Sequence, residues 1–145
     1  MTNDEILLSI LKQIPIFADL DQENHQEIIK NINLQFFPKE TVIFSKGTPG
    51  DALYIIKQGL VQIFKGEGTD IEELAQLKDS DFFGEMALIS EEPRMASAKT
   101  VTDSDIFILK KEDFMKLIQS DPNMAGRISK EYIDREKENV RKYNI

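Results

Sequence analysis

Apolar residues at the start of the chain recur at helical spacing. Ile6, Leu7, Ile10, Leu11 and Ile14 predict an amphipathic helix, and Pro15 stops it. Asp21 is a good N-cap for a second helix whose apolar stripe is Ile28, Ile29 and Ile32. His25, the only histidine, falls on the polar side of that helix and is expected to be exposed. From Asn33 the period changes. Leu34–Phe37, Thr41–Phe44, Leu53–Lys57, Leu60–Lys65 and Ile71–Leu77 are short runs rich in β-branched and aromatic residues. Turn residues separate them: Pro38-Lys39, 46–50, Gln58-Gly59 and 66–70. Met95–Thr100 and Asp105–Leu109 read as two more strands. Strand spacing of this kind suggests a sandwich, roll or barrel. After Lys110 the helical period returns in Phe114, Leu117 and Ile118. Asp121-Pro122 then opens a last helix reaching about Lys142, with Pro in the favoured first turn. Its stripe of Met124, Ile128 and Tyr132 is thin. Opposite charges at i,i+4 (Arg127 with Glu131, Glu131 with Arg135, Glu138 with Lys142) support it.

Helices, then strands, then helices around one core make an α+β class. No linker, repeat or low-complexity segment interrupts residues 1–145, so a single domain is expected, with helices over 1–32, strands over 33–109 and helices over 110–145. The 41% hydrophobic and 30% charged residues are those of an ordinary globule. A net charge of -8 argues against a nucleic-acid groove, so neither DNA nor RNA is an expected partner, and it disfavours anionic lipid. Cysteine is absent, which removes disulfides and thiolate metal sites. The acidic N-terminus lacks a signal-peptide shape, and no apolar run approaches the ~18 residues of a membrane span. The expected location is the cytoplasm.

One stretch carries chemistry: Phe82 through Ser97. Gly84 precedes Glu85-Met86-Ala87-Leu88, which can form one helical turn, and glycine lets a ligand approach the backbone. The free amides of such a turn suit an anion. Arg94 follows a bend stiffened by Pro93, and its planar fork can meet the same anion if the chain folds back. Glu85 can accept hydrogen bonds from vicinal hydroxyls. Together these suggest a sugar phosphate. On spacing alone, Glu85 and Arg94 read more commonly as a solvated surface pair.

The same stretch resembles the phosphate-binding cassette of the cyclic-nucleotide-binding domain family. The family pattern runs Phe-Gly-Glu, a hydrophobic residue, Ala-Leu, and then, after a spacer, Pro-Arg-x-Ala-Ser/Thr. Phe83 to Ser97 meets it with the same spacing. Ile14 to Leu20 resembles the family's entry segment, and Gly47 to Gly59 its central hairpin. The resemblance covers roughly residues 14–120. It implies an antiparallel β-roll (jelly-roll-like, a double-stranded β-helix) with flanking helices, a short phosphate-binding helix between strands, and a cassette at 83–97. It implies that Arg94 pairs with the cyclic phosphate, that Glu85 holds the ribose 2′-hydroxyl, and that the amides of Gly84, Met86 and Ala87 meet phosphate or ribose. Asp51 would orient Arg94, and Ile63 would line the pocket. Met95 and Ala96 complete the cassette side. Met95 stands where cAMP binders often carry Ala and many cGMP binders Thr or Ser. Lacking a hydroxyl, it leans toward adenine, while its bulk crowds the base.

In relatives the last helix folds over the base or mediates dimerisation. Arg127, Tyr132 and Arg135 are candidates to stack on the base, although a solvated, salt-bridged helix face is the commoner role for such residues. A homodimer through this helix is compatible with its thin stripe. Three functions compete. The first is a cyclic-nucleotide sensor, favouring cAMP, that moves its C-terminal helices and signals through an unidentified protein effector or self-association. The second is an interaction domain that kept the roll and lost the ligand. The third is a cupin-like enzyme, which one histidine cannot supply with a metal site. No cofactor, metal or catalytic set is expected, and no Ser/His/Asp or Cys/His arrangement exists.

Overall fold

The computed structural model describes residues 1–129. Three helices open it: α1 (Asn3–Leu11), α2 (Pro15–Ala18) and α3 (Gln22–Lys30). Eight strands follow: β1 (Asn33–Phe37), β2 (Val42–Phe44), β3 (Ala52–Gln58), β4 (Val61–Lys65), β5 (Glu72–Leu77), β6 (Phe82–Phe83), β7 (Ser97–Thr100) and β8 (Ser104–Lys110). A 3-10 turn, Glu85–Leu88, sits between β6 and β7, and α4 (Lys111–Ser120) follows β8. Residues 122–129 are helical.

The strands form two antiparallel four-stranded sheets, in the orders β1-β8-β3-β6 and β2-β7-β4-β5. They face each other as a β-roll. Between them lies one apolar cluster containing Phe44, Ala52, Tyr54, Ile56, Val61, Ile63, Phe83, Ala96, Ala98 and Ile106. A second cluster joins the outer face of the first sheet (Leu53, Ile55, Phe107, Leu109) to Leu7, Leu11, Phe17, Ile28, Phe114, Met124 and Ile128 of the helices. β3 and β8 therefore send alternate side chains into two different cores. That is why they read as continuous apolar runs rather than as apolar–polar alternation.

The expected strands all form, within a residue or two of their sequence limits. Three features differ from expectation. Phe82-Phe83 is a strand of its own, paired with Tyr54 and Ile55 of β3; two residues are too few to show a period. Pro15 ends the first helical run and also begins α2, because its ring suits the first turn of a helix. His25 is buried, at 3% exposure, with Nε2 2.7 Å from the Phe17 carbonyl oxygen. Its ring meets the backbone of α2, a tertiary contact that helical periodicity does not register.

Asp21 caps α3 as expected, its side chain accepting from the Asn24 amide at 2.8 Å. Asp121 does the same for 122–129, accepting from Asn123 and Met124 at 3.1 and 3.2 Å. The two caps meet: Asn24 Nδ2 donates to Asp121 Oδ2 at 2.8 Å, which fastens the N-terminal helices to the C-terminal ones. Among the described residues no helix is long and apolar enough to cross a membrane.

Candidate functional site

The cassette is held in place by backbone bonds on both sides. Upstream, β6 is anchored on β3 by the Phe83–Tyr54 pair. Gly84 then takes φ +82, the left-handed region, and turns the chain into the 3-10 helix. A side chain is doubly excluded there, because a Cβ would lie 2.6 Å from Arg94 Nη1 and 3.1 Å from the Ala52 oxygen. The Ala87 amide donates to Gly84 O at 3.1 Å, and that of Ile89 to Met86 O at 3.1 Å. The amides of Glu85 and Met86 lead the turn, where no intrahelical acceptor precedes them. Downstream, Pro93 bridges to Pro49. The Gly47 amide donates to Arg94 O, and the Arg94 amide to Thr48 O, both at 2.8 Å. The hairpin loop 47–50 thus closes on the far end of the cassette. Gly50 is pressed so close that a Cβ would stand 2.6 Å from Ala87 Cβ.

These constraints aim Arg94 inward, where it is 3% exposed. Its Nη2 donates to Ala52 O at 2.9 Å, and Nη1 makes a long bond to Gly84 O at 3.5 Å. Asp51 Oδ1 lies 3.6 Å from Nη2, but that carboxylate is itself 79% exposed. Among the described residues Nε has no hydrogen-bond acceptor. The guanidinium carbon stands 4.1 Å from the Phe44 ring centroid and 5.7 Å from that of Tyr54. Burial pushes the arginine below its ordinary basicity, while Tyr54 and Asp51 pull it back. Tyr54 is raised above the usual phenol value by burial first and Asp51 second, with Arg94 opposing. Here, then, is a buried cation only partly compensated by protein groups. Beside it is a shallow depression lined by Gly50, Met86, Ala87, Ser90, Glu92, Pro93 and Arg94.

The structure brings together Asp51, Gly84, Met86, Ala87 and Arg94. Glu85 is buried at the first position of the turn, and Ala96 is fully buried beyond Arg94. Met95 is 38% exposed between these two buried neighbours. Ile63 lies between the sheets, on β4, paired with Ala98 and Ala75. Arg127 is at the surface, 3.8 Å from Asp21, the N-cap of α3. Tyr132 and Arg135 lie outside the described residues, as do the charge pairs expected beyond Ser129. Sequence reading missed Phe44 and the Ala52 carbonyl as neighbours of Arg94. Phe44 carries no motif, and a backbone carbonyl leaves no signal in a sequence. Glu91 is exposed and pairs with Lys111 Nζ at 3.0 Å. Among the described residues no cluster of His, Cys, Asp or Glu could hold a metal ion.

Fold and site define a β-roll in which a glycine-led turn and a buried arginine face one another across a fold-back of ten residues. The chain belongs to the cyclic nucleotide-binding domain family, whose model matches residues 34–121. It is 33% identical to a cAMP-dependent protein kinase regulatory subunit of Hypocrea atroviridis, over 76% of this chain and 23% of that one. It is 32% identical to the cyclic AMP receptor protein of Thermus thermophilus, over 82% of this chain and 56% of that one. Among solved structures it resembles the regulatory domain of Toxoplasma gondii PKA crystallised with cAMP, at a TM-score of 0.71 and 26% identity, covering 79% of this chain and 44% of that one. The chain thus spans from about a quarter to a little over half the length of these curated relatives.

Proposed function

We propose that this chain is a regulatory module that binds a cyclic nucleotide at the cassette, favouring cAMP over cGMP. The observation that carries this reading is Arg94: a cation with 3% exposure, an Nε that has no acceptor among the described residues, and a single carboxylate at 3.6 Å. An uncompensated buried charge is costly, and a phosphate would compensate it. In this reading Arg94 pairs with the cyclic phosphate through charge-assisted bonds. The amides of Gly84 and Met86 assist, Ala87, whose amide is bonded to Gly84 O, lines the depression, and Glu85 accepts from the ribose 2′-hydroxyl. Asp51 steadies Arg94 from outside, Ile63 lines the pocket, and Met95 and Ala96 flank the base. Met95 has no hydroxyl to offer a guanine amino group, which favours adenine.

Binding would draw the C-terminal helices toward the roll by shifting a population between two arrangements. Lys111, the first residue of α4, offers a route. Its amide donates to Asp51 O at 2.8 Å, and its Nζ to Ser90 O and Glu91 at 3.0 Å each. In this reading the output passes to a protein effector or to a second copy through the last helix.

Isothermal titration calorimetry of the full chain with cAMP and cGMP tests this. The expected result is saturable cAMP binding, weaker cGMP binding, and at least ~100-fold loss of affinity in Arg94→Ala, from two charge-assisted bonds. No heat at millimolar nucleotide would instead favour an interaction domain in which Arg94 is satisfied by the Ala52 carbonyl.

A further inference from the structure

Arg94 rests on an aromatic platform built from both sheets. Phe44 comes from β2, Tyr54 from β3 and Phe83 from β6. Tyr54 and Phe83 stack with centroids 5.2 Å apart and planes 14° apart. The Phe44 centroid lies 5.7 Å from that of Tyr54 and 5.9 Å from that of Phe83. All three rings are nearly buried, so the Phe44 face has little freedom to move. The guanidinium carbon is 4.1 Å from that face. The loop that leaves Phe44 also fixes the Arg94 backbone, through Gly47 and Thr48. One segment therefore holds both ends of the arginine.

We propose that Phe44 is a positioning residue for the anion site: its ring face holds the Arg94 guanidinium ready for a phosphate without consuming its N–H donors. The inference rests on the cyclic-nucleotide reading above and deepens it. The chemistry separates this device from a second carboxylate. An acidic side chain at this place would neutralise Arg94 and occupy the edge that an oxyanion must reach. A π face attracts the cation through its quadrupole, perpendicular to the ring, and leaves the N–H edges free. It also offsets part of the desolvation of a charge with few polar neighbours. Without the face, the unliganded arginine is expected to leave its buried position and turn toward the exposed Asp51 carboxylate. A ligand then meets a competent site only part of the time, and apparent affinity falls by that fraction.

The test uses the full chain with Phe44 replaced by mono-, di- and trifluorinated phenylalanine. Fluorine changes ring size little and drains the π face in steps. The expected outcome is a stepwise fall in cAMP affinity, reaching about fivefold with three fluorines. The same replacements at Phe114, a buried ring in edge contact with Phe17, should leave affinity unchanged. Phe44→Leu, which keeps an apolar side chain, should weaken binding by about tenfold while thermal melting still shows a folded protein. A second readout needs no nucleotide. In the wild type the Arg94 Nε–H resonance is expected to be shielded by the ring and its guanidinium rotation slow. Both features should fade along the fluorine series. Flat affinity and unchanged Arg94 resonances across the series would overturn the role of Phe44. Absence of nucleotide binding in the wild type would overturn the functional reading instead, and the Arg94 resonances would still decide the positioning.

Discussion

Replacing Gly84 with alanine perturbs backbone and site together, and the structure supplies a control that separates them. Gly84 has φ +82 and Gly47 has φ +87, so alanine meets similar left-handed strain at both, about 1–2 kcal/mol. Their surroundings differ. An alanine Cβ at 84 would stand 2.6 Å from Arg94 Nη1 and 3.1 Å from Ala52 O, whereas at 47 no atom of the described residues lies within 4 Å. The Ala52 oxygen belongs to β3 and cannot retreat, so the guanidinium must. That forfeits its 2.9 Å bond to Ala52 O, a bond to a charged group worth about 1.5–3 kcal/mol. Gly84→Ala should therefore cost roughly 3–5 kcal/mol in all, and Gly47→Ala only the strain. Urea unfolding reads this directly. With a slope near 1.5 kcal/mol/M, the Gly84→Ala midpoint should fall by roughly 2–3 M and that of Gly47→Ala by about 1 M. Calorimetry should show cAMP affinity lost in the first variant and largely kept in the second. Equal midpoint shifts in the two variants would refute the steric argument and with it the close packing of Arg94 under Gly84.

Two further outcomes follow from contacts outside the cassette. Burial holds the Tyr54 hydroxyl above its ordinary value of about 10. The unfolded chain then gives up that proton first, so stability is intact below about pH 10 and falls as pH rises toward the folded value. Tyr54→Phe should flatten the decline of the urea midpoint above about pH 10; superimposable curves would contradict the assignment. Asn24→Ala removes the 2.8 Å bond to Asp121 and should cost about 1–2 kcal/mol, with protease cleavage near residues 121–129 appearing earlier than in the wild type. Unchanged cleavage would show that this bond does not hold the C-terminal helix in place.

Much of this molecule is written locally. The strands are legible because β-branched and aromatic runs end at glycine and proline turns, and α3 because Asp21 precedes its stripe. The cassette is legible through the resemblance of Phe83 to Ser97 to the family pattern; on spacing alone Glu85 and Arg94 read more commonly as a solvated surface pair. His25 was misjudged because helical periodicity reports one helix at a time, and its ring is bonded to the backbone of α2. β6 was invisible because two residues carry no period. Phe44 looked like any apolar strand residue, since nothing in a strand pattern says which charge its ring will meet.

The order of elements and the residue types at the turn were settled by the chain itself, through propensities and spacings that act over a few residues, whereas the division of the interior into two clusters came from the fold. The surroundings of Arg94 were settled only by the fold. Its carbonyl acceptor, Ala52, is 42 residues away in sequence, and its aromatic neighbour, Phe44, belongs to the opposite sheet from Tyr54 and Phe83. The clasp between Asn24 and Asp121 spans 97 residues. Contacts of that range exist only once the roll has closed, and burial, which makes a charge costly and a ring face useful to it, is a property of the closed roll.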